Sequence, residues 1–327
     1  MKLLTKIYRG SVVESFHMGY AYAIDETGRE LLTAGSPETP LFTQETAAPF
    51  KLATLLQEKG DETLKLNDKE LAVACATHAG KDVHTDVIHS LLKKTEMTIS
   101  DLQCEIQNPE DSSTFEKMII QGRRPSQIHN VFSGLHAGMA ALAKAMEEDP
   151  KDYVKAISHI HTKILENIKK YSECDKVLTE VDASGLDTYY LPMKNIVKMY
   201  NKLITGSDEE VTKVFQVFTE YPELIAGEGR FDTEFIKLLK GNGLVKSGSN
   251  GMVALCVKPP KSKAVSLVVK AIDGSTKAAV SMSLQILKHL ELIDAKDIER
   301  LKEFCKPEFR DASGNITGHM ETELILE

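Results

Sequence analysis

Residues 11–24 and 30–35 are rich in β-branched and small side chains and flank Asp25-Glu26-Thr27-Gly28. That pattern predicts a β-hairpin whose turn is supplied by Asp and Gly. From about residue 48 the apolar positions change to three- and four-residue spacing, the period of an amphipathic helix. Segment 49–59 opens on Pro49 and is expected to stop at Gly60, since proline suits the first helical turn and glycine the residue after the last. Asn67 is placed to cap a helix over 68–76, with Glu70 completing a capping box three residues on. Further helices are predicted over 82–95, 112–121, 136–148 and 151–172, then over 193–204 and 209–220, with Ser207 and Asp208 as starting caps. Near residue 243 the period shortens again. Leu244-Val245, Met252–Val257 and Ala264–Ile272 read as strands, with Gly248, Gly251, Pro259-Pro260 and Asp273-Gly274 as turns. A helix over 276–290 follows, and then a polar tail.

Strands at both ends with helices between them predict an α+β fold whose N- and C-terminal strands share one antiparallel sheet. No Pro/Gly/Ser-rich linker and no repeat of 20–50 residues divides the chain, so residues 1–327 are expected to form a single unit with a helical middle region.

Composition narrows the function classes. Of 327 residues, 42% are hydrophobic and 27% charged, enough apolar surface for a large core and too much for a disordered chain. The net charge of −8 argues against a nucleic-acid partner, whose phosphates need clustered Lys and Arg. No apolar run approaches the ~18–20 residues of a membrane span. Met1–Lys6 lacks the apolar stretch of a signal peptide. The five cysteines are scattered with no C-x-x-C pair, which fits a reducing cytoplasm rather than a disulfide framework.

Four glycine-framed polar segments are candidates for chemistry. Ala226–Asp232 sets Glu228, Arg230 and Asp232 among two glycines, either as a ligand loop or as a glycine C-cap followed by an Asp232 N-cap. Thr77-His78 stands at a predicted helix end, where hydroxyl and imidazole suit nucleophilic or amide-binding chemistry, or simply a capped terminus. Ser133–Met139 enters a helix with small residues at 134, 137 and 138, for anion binding or for close packing. Lys246-Ser247-Gly248 ends a strand, where a desolvated lysine is suited to exchange a proton with a hydroxyl, or where the lysine is simply an exposed residue of a turn.

The order of these segments resembles the asparaginase II family, the rhizobial-type L-asparaginases, over nearly the whole length. Arg9–His17 is similar to its R-G-x-x-V-E-x-x-H, Ala74–His78 to C-A-S-H with Thr for Ser, and Ser133–Met139 to S-G-K-H-x-G-M. Asp182–Pro192 follows the D-G-C region, Ala226–Arg230 is A-G-E-G-R, Lys246–Gly248 resembles K-x-G and Asp273–Ser275 D-G-S. The resemblance implies a serine β-lactamase/glutaminase-like antiparallel sheet flanked by helices, and hydrolysis of the L-asparagine side-chain amide by hydroxyl–lysine pairs. It implies Thr77 and Lys246 as one pair, Thr46 as an alternative nucleophile and Lys51 as a proton carrier. It also implies Asp182, His136, Glu228 and His78 as substrate-binding residues, with Asp182 suited to an α-ammonium group, and a homodimer.

The chain departs from the family at the chemistry. Ungapped alignment of its S-x-x-K-P-F with Glu45–Lys51 puts Thr46 at the nucleophile and Pro49 at the lysine. Aligning Pro49-Phe50 with P-F instead implies that the lysine is deleted; Lys51 lies five residues after Thr46. Where the family has zinc-binding cysteines and a lysine, the chain has Phe132, Leu135 and Ser184. Phe and Leu offer no lone pair, so no metal and no cofactor is expected, with apolar side chains filling the volume. The expected partner is a small-molecule amide, with neither nucleic acid nor membrane. The alternative function is a catalytically impaired amino-acid-amide binding protein of the same fold.

Overall fold

The structure, a computed structural model, describes residues 2–155, 158–260 and 262–325. Strands β1 (Lys2–Arg9) and β2 (Val12–Asp25) form a hairpin, and β3 (Glu30–Ala34) folds back on the far half of β2. The predicted turn between them has a local cause. The Asp25 carboxylate accepts the N–H groups of Thr27 and Arg29, and Gly28 takes the left-handed φ of 85°. After β4 (Pro40–Phe42) come α1 (Ala48–Gln57), α2 (Gly60–Thr63), α3 (Asp68–Val73), α4 (Asp82–Lys94), α5 (Ser112–Ile120), α6 (Ser133–Ala145) and α7 (His159–Ser172). A short antiparallel pair, β5 (Leu178–Val181) and β6 (Asp187–Pro192), leads to α8 (Met193–Thr205), α9 (Glu209–Glu220), α10 (Pro222–Ile225) and α11 (Phe231–Leu239). The chain then lays down β7 (Gly243–Gly248), β8 (Met252–Val257) and β9 (Val265–Ala271). It continues through α12 (Thr276–His289), α13 (Ala295–Arg300) and α14 (Lys302–Cys305) to β10 (Glu308–Arg310) and β11 (Ile316–Ile325).

The main sheet is antiparallel, in the order β10-β11-β1-β2-β9-β8-β7, with β3 also on β2. Pairing of β2 with β9 joins the N-terminal strands to the C-terminal ones, as the α+β pattern predicts. Residues of β8 are buried on both faces, with α8 and α12 packed against the strand, which explains its unbroken apolar run. A second sheet, β4-β6-β5, lies beside the first turn of the helical region.

Several elements differ from expectation, and the following bear on the site or the sheet. The polar tail contains β11, which pairs with β1 along eight residues from Lys2↔Ile325 to Arg9↔Gly318. Its inward Thr322 hides the period: that hydroxyl is buried, 2.7 Å from Thr5 Oγ1 and 2.8 Å from Ser281 Oγ, so a polar residue fills a core position. Helix 151–172 is helical only over His159–Ser172, after a 3-10 turn at Pro150–Asp152, and residues 156 and 157 lie outside the described residues. Gly60 does not cap α1. Lys59 takes the left-handed φ of 54°, and Gly60 is there because a Cβ would lie 2.2 Å from Leu55 Cδ1. The Asn67–Glu70 capping box forms as predicted, but α3 stops at Val73, and residues 74–81 run as loop and turn.

Candidate functional site

That early stop presents Thr77. Its own N–H donates to Ile225 O at 2.9 Å, and the next N–H, of His78, donates to Val131 O at 3.0 Å. Both peptide groups are therefore fixed, and the half-buried Thr77 side chain faces β7. Lys246, 1% exposed on β7, donates through Nζ to Thr77 Oγ1 at 2.9 Å and to Ser247 O at 2.8 Å. The ladder with β8 sets the backbone of Lys246, and α11 sets its surroundings. Asp232, buried in the first turn of α11, accepts the Ser247 N–H at 2.9 Å and the Ser247 hydroxyl, and its Oδ2 stands 3.9 Å from Lys246 Nζ. Burial pulls the Lys246 ammonium below the ordinary lysine range, and the charges of Asp232 and Glu45 oppose that pull. The arrangement joins a hydroxyl to an amine whose proton is loosened by desolvation.

Thr46 and Lys51 are placed differently. Thr46 lies in the 3-10 turn Gln44–Ala47, 1% exposed, and its hydroxyl donates back to Thr43 O. Lys51, on α1 and 7% exposed, donates to the main-chain Asp187 O at 2.8 Å rather than to a hydroxyl. Burial lowers its pKa, opposed by Asp182, Asp187 and Glu45. Asp182 accepts the N–H and hydroxyl of Ser184 on Oδ1; burial raises its carboxyl pKa, against the pull of Lys51.

The two motif histidines are internal struts. His136 Nε2 donates to Ser184 O at 2.7 Å and its Nδ1 meets the Tyr153 hydroxyl at 2.7 Å, so the ring holds the 182–186 turn from behind. Desolvation lowers its pKa to about 4. His78, fully buried, accepts the Gly80 N–H on Nδ1 at 3.1 Å and lies 3.0 Å from Ser133 Oγ through Nε2. Burial likewise drives its pKa well down. The Ser133–Met139 segment is a packing surface: Cβ atoms at Gly134 and Gly138 would lie 2.2 Å from Val73 O and 2.5 Å from Ala74 O. Glu228 is outside the buried group, its side chain 75% exposed and 3.4 Å from Lys81 Nζ. Asp232 is not an N-cap; Arg230 holds that position, and the Asp232 carboxylate reaches across to β7.

The family model described as L-asparaginase II matches residues 5–322. The chain belongs to the L-asparaginase II family. Among solved structures, a β-lactamase from Burkholderia ambifaria is similar at 14% identity and a TM-score of 0.42, covering 85% of this chain and 95% of that one. A β-lactamase from Sphaerobacter thermophilus is similar at 9% identity and a TM-score of 0.41, covering 85% and 93%. No curated protein sequence matches. No helix among the described residues is long and apolar enough to cross a membrane.

For an L-asparaginase II chain, the zinc donors are the outstanding question, and the residues present do not fit the ion. Phe132 and Leu135 carry no donor atom, and the Ser184 hydroxyl is turned onto Asp182 while its carbonyl accepts from His136. Leu135 instead lines a cavity of about 10 Å³ with Lys51, Leu52, Ala74, Gly138 and Met139, space for about one water molecule. The sequence offers Asp232 in a ligand loop or as a cap rather than as a clamp on Ser247, and marks no role for Glu45, Ser249 or Asp187. The signal available was acidic residues at otherwise apolar or turn positions beside the motifs.

Proposed function

We propose that this L-asparaginase II family protein is an amidohydrolase that cleaves the side-chain amide of L-asparagine to aspartate and ammonia. The observation that carries this reading is the 2.9 Å hydrogen bond between Lys246 Nζ and Thr77 Oγ1, two residues 169 positions apart. Thr77 Oγ attacks the carboxamide carbon while neutral Lys246 accepts its proton. The same ammonium then protonates the departing nitrogen, the C–N bond breaks, and ammonia leaves an acyl ester on Thr77. Lys246, neutral again, takes a proton from water as it attacks the ester, and returning that proton to Thr77 releases aspartate. Asp232 orients the amine by clamping Ser247, and the Thr77 methyl group restricts χ1 and so narrows the line of attack. Asp182, whose Oδ1 accepts from Ser184 and whose Oδ2 accepts no hydrogen bond among the described residues, is the acceptor for the substrate α-ammonium.

Ammonia release from purified protein with L-asparagine, and with L-glutamine as the longer comparison, tests the reading. Turnover of asparagine that Lys246→Ala abolishes is the expected result. Thermal stabilisation by asparagine without ammonia release would replace the hydrolase with an amino-acid-amide binder.

A further inference from the structure

Glu45 is a buried charged group that the hydrolysis steps leave unused. Glu45, in the turn before α1, is 4% exposed. Its carboxylate accepts the Ser249 N–H on Oε2 and the Ser249 hydroxyl on Oε1 at 2.7 Å. Ser249 is the first residue past the end of β7, where pairing with β8 finishes at Gly248↔Met252. Its N–H is therefore free of the ladder and available to an anion. Gly248 permits the approach, since a Cβ there would lie 3.1 Å from both Glu45 Oε2 and Gln44 Cβ. The Glu45 charge acts on Lys246 from one direction of the chain and on Lys51 from the other.

An independent observation lies one residue earlier. Gln44 holds a left-handed φ of 50°, uncommon outside glycine, and is 9% exposed against Gly248. Its buried Oε1 has no hydrogen-bond partner. The turn thus carries backbone strain and an unanswered acceptor while it presents a carboxylate to two donors.

We propose that the Ser249 N–H and hydroxyl, with Lys246 and Lys51 nearby, form a subsite for the carboxylate of a small ligand, and that Glu45 is its internal occupant, displaced when ligand binds. The site then takes an amino-acid-like molecule: a carboxylate for Ser249 and an N–H donor for Gln44 Oε1. An internal carboxylate tethered at the site competes at high effective concentration, so free carboxylates bind the wild type weakly. The proposal rests on the cleft being a small-molecule site, but it does not need turnover.

Calorimetric titration with L-aspartate and with formate compares wild type and Glu45→Gln. The glutamine variant should bind both probes about tenfold more tightly, because a neutral amide replaces the competing anion; equal or weaker binding overturns the proposal. Should that variant fold poorly, Glu45→Ala provides a second measurement. Formate should raise its Tm and leave the wild-type Tm unmoved, and a variant that formate does not stabilise counts against the site. In the wild type itself, saturating L-aspartate should speed amide hydrogen exchange over residues 44–47 as Glu45 leaves Ser249, whereas unchanged or slowed exchange refutes displacement. Absence of ammonia release from asparagine would sink the hydrolase reading alone, since formate binding is measured without it.

Discussion

Lys51 and Lys246 are both buried lysines facing carboxylates, yet they end on different partners. Lys246 rises from an edge strand, with Asp232 gripping the next residue, and its amine meets a side-chain hydroxyl. Lys51 projects from a helix and its amine is captured by a peptide carbonyl, with Asp182 and Asp187 as its counter-charges. A carbonyl cannot exchange a proton, and in this arrangement the Lys51 amine links α1 to β6. A hydroxyl can, and under the proposed mechanism Lys246, which donates to Thr77 Oγ1 as well as to Ser247 O, is the amine that does so. Two side chains of one type, similarly desolvated, are separated in role by what the backbone places opposite them.

The largest effect that can break this contrast is on turnover. Thr77→Ala and Lys246→Ala should each lower ammonia release by about 10³-fold or more with far-UV circular dichroism unchanged, whereas Lys51→Met should retain activity within about tenfold. Equal losses at Lys51 and Lys246 would erase the distinction.

Asp232→Asn should cost about 3 kcal/mol in urea unfolding, because it leaves Lys246 without its near counter-charge. The pH–rate profile should move as well. The neutral amine is the active form and burial already lowers the Lys246 pKa, so activity should rise with pH along a limb below the ordinary lysine value of 10.5. Loss of the Asp232 charge removes an attraction that favours the ammonium and should shift that limb to lower pH. A limb that stays in place would reduce Asp232 to a purely structural clamp.

His136 tests the Lys51 side, where it holds the turn bearing Asp182. Its imidazole takes a proton near 6.5 when unfolded and near 4 when folded. Over that window the unfolded chain binds the proton first, so stability falls as pH drops from about 6.5 to about 4, by about 3 kcal/mol for this group. His136→Gln, which can keep both hydrogen bonds, should lessen the acid-induced loss by a similar amount in urea midpoints measured between pH 7 and pH 4. An unchanged slope would place the acid sensitivity elsewhere.

Thr46→Ala should have the smallest consequence. Among the described residues its hydroxyl serves only Thr43 O, so about 1 kcal/mol of stability is at stake and ammonia release should stay within about twofold. A loss matching that of Thr77→Ala would move the nucleophile to the first segment.

Local devices were legible. The Asp25–Gly28 turn and the Asn67–Glu70 box form from residues within four positions of one another, so spacing alone was enough to place them. The strand β11 was not legible, because a threonine hydroxyl satisfied by Thr5 and Ser281 occupies its core face and removes the apolar signal. Helix 151–172 was overdrawn because a 3-10 turn at Pro150–Asp152 continues the same spacing. At the site, motif order named Thr77 and Lys246 but gave no hint that Asp232 would reach Ser247 or that Glu45 would reach Ser249, 204 residues away.

The chain's own order of residues determined the alternation of strand and helix periods, the turns, the caps and the family to which it belongs. Those depend on neighbours in sequence and on motifs read one at a time. The contact itself, Lys246 Nζ at 2.9 Å from Thr77 Oγ1 with Asp232 clamping Ser247, was decided only by the tertiary structure. The early end of α3, the edge position of β7 and the carboxylate from α11 set distances that no local spacing encodes. Burial then acts on whatever has been brought together: it lowers the pKa of both lysines, one set beside the Thr77 hydroxyl and the other bound to a peptide carbonyl.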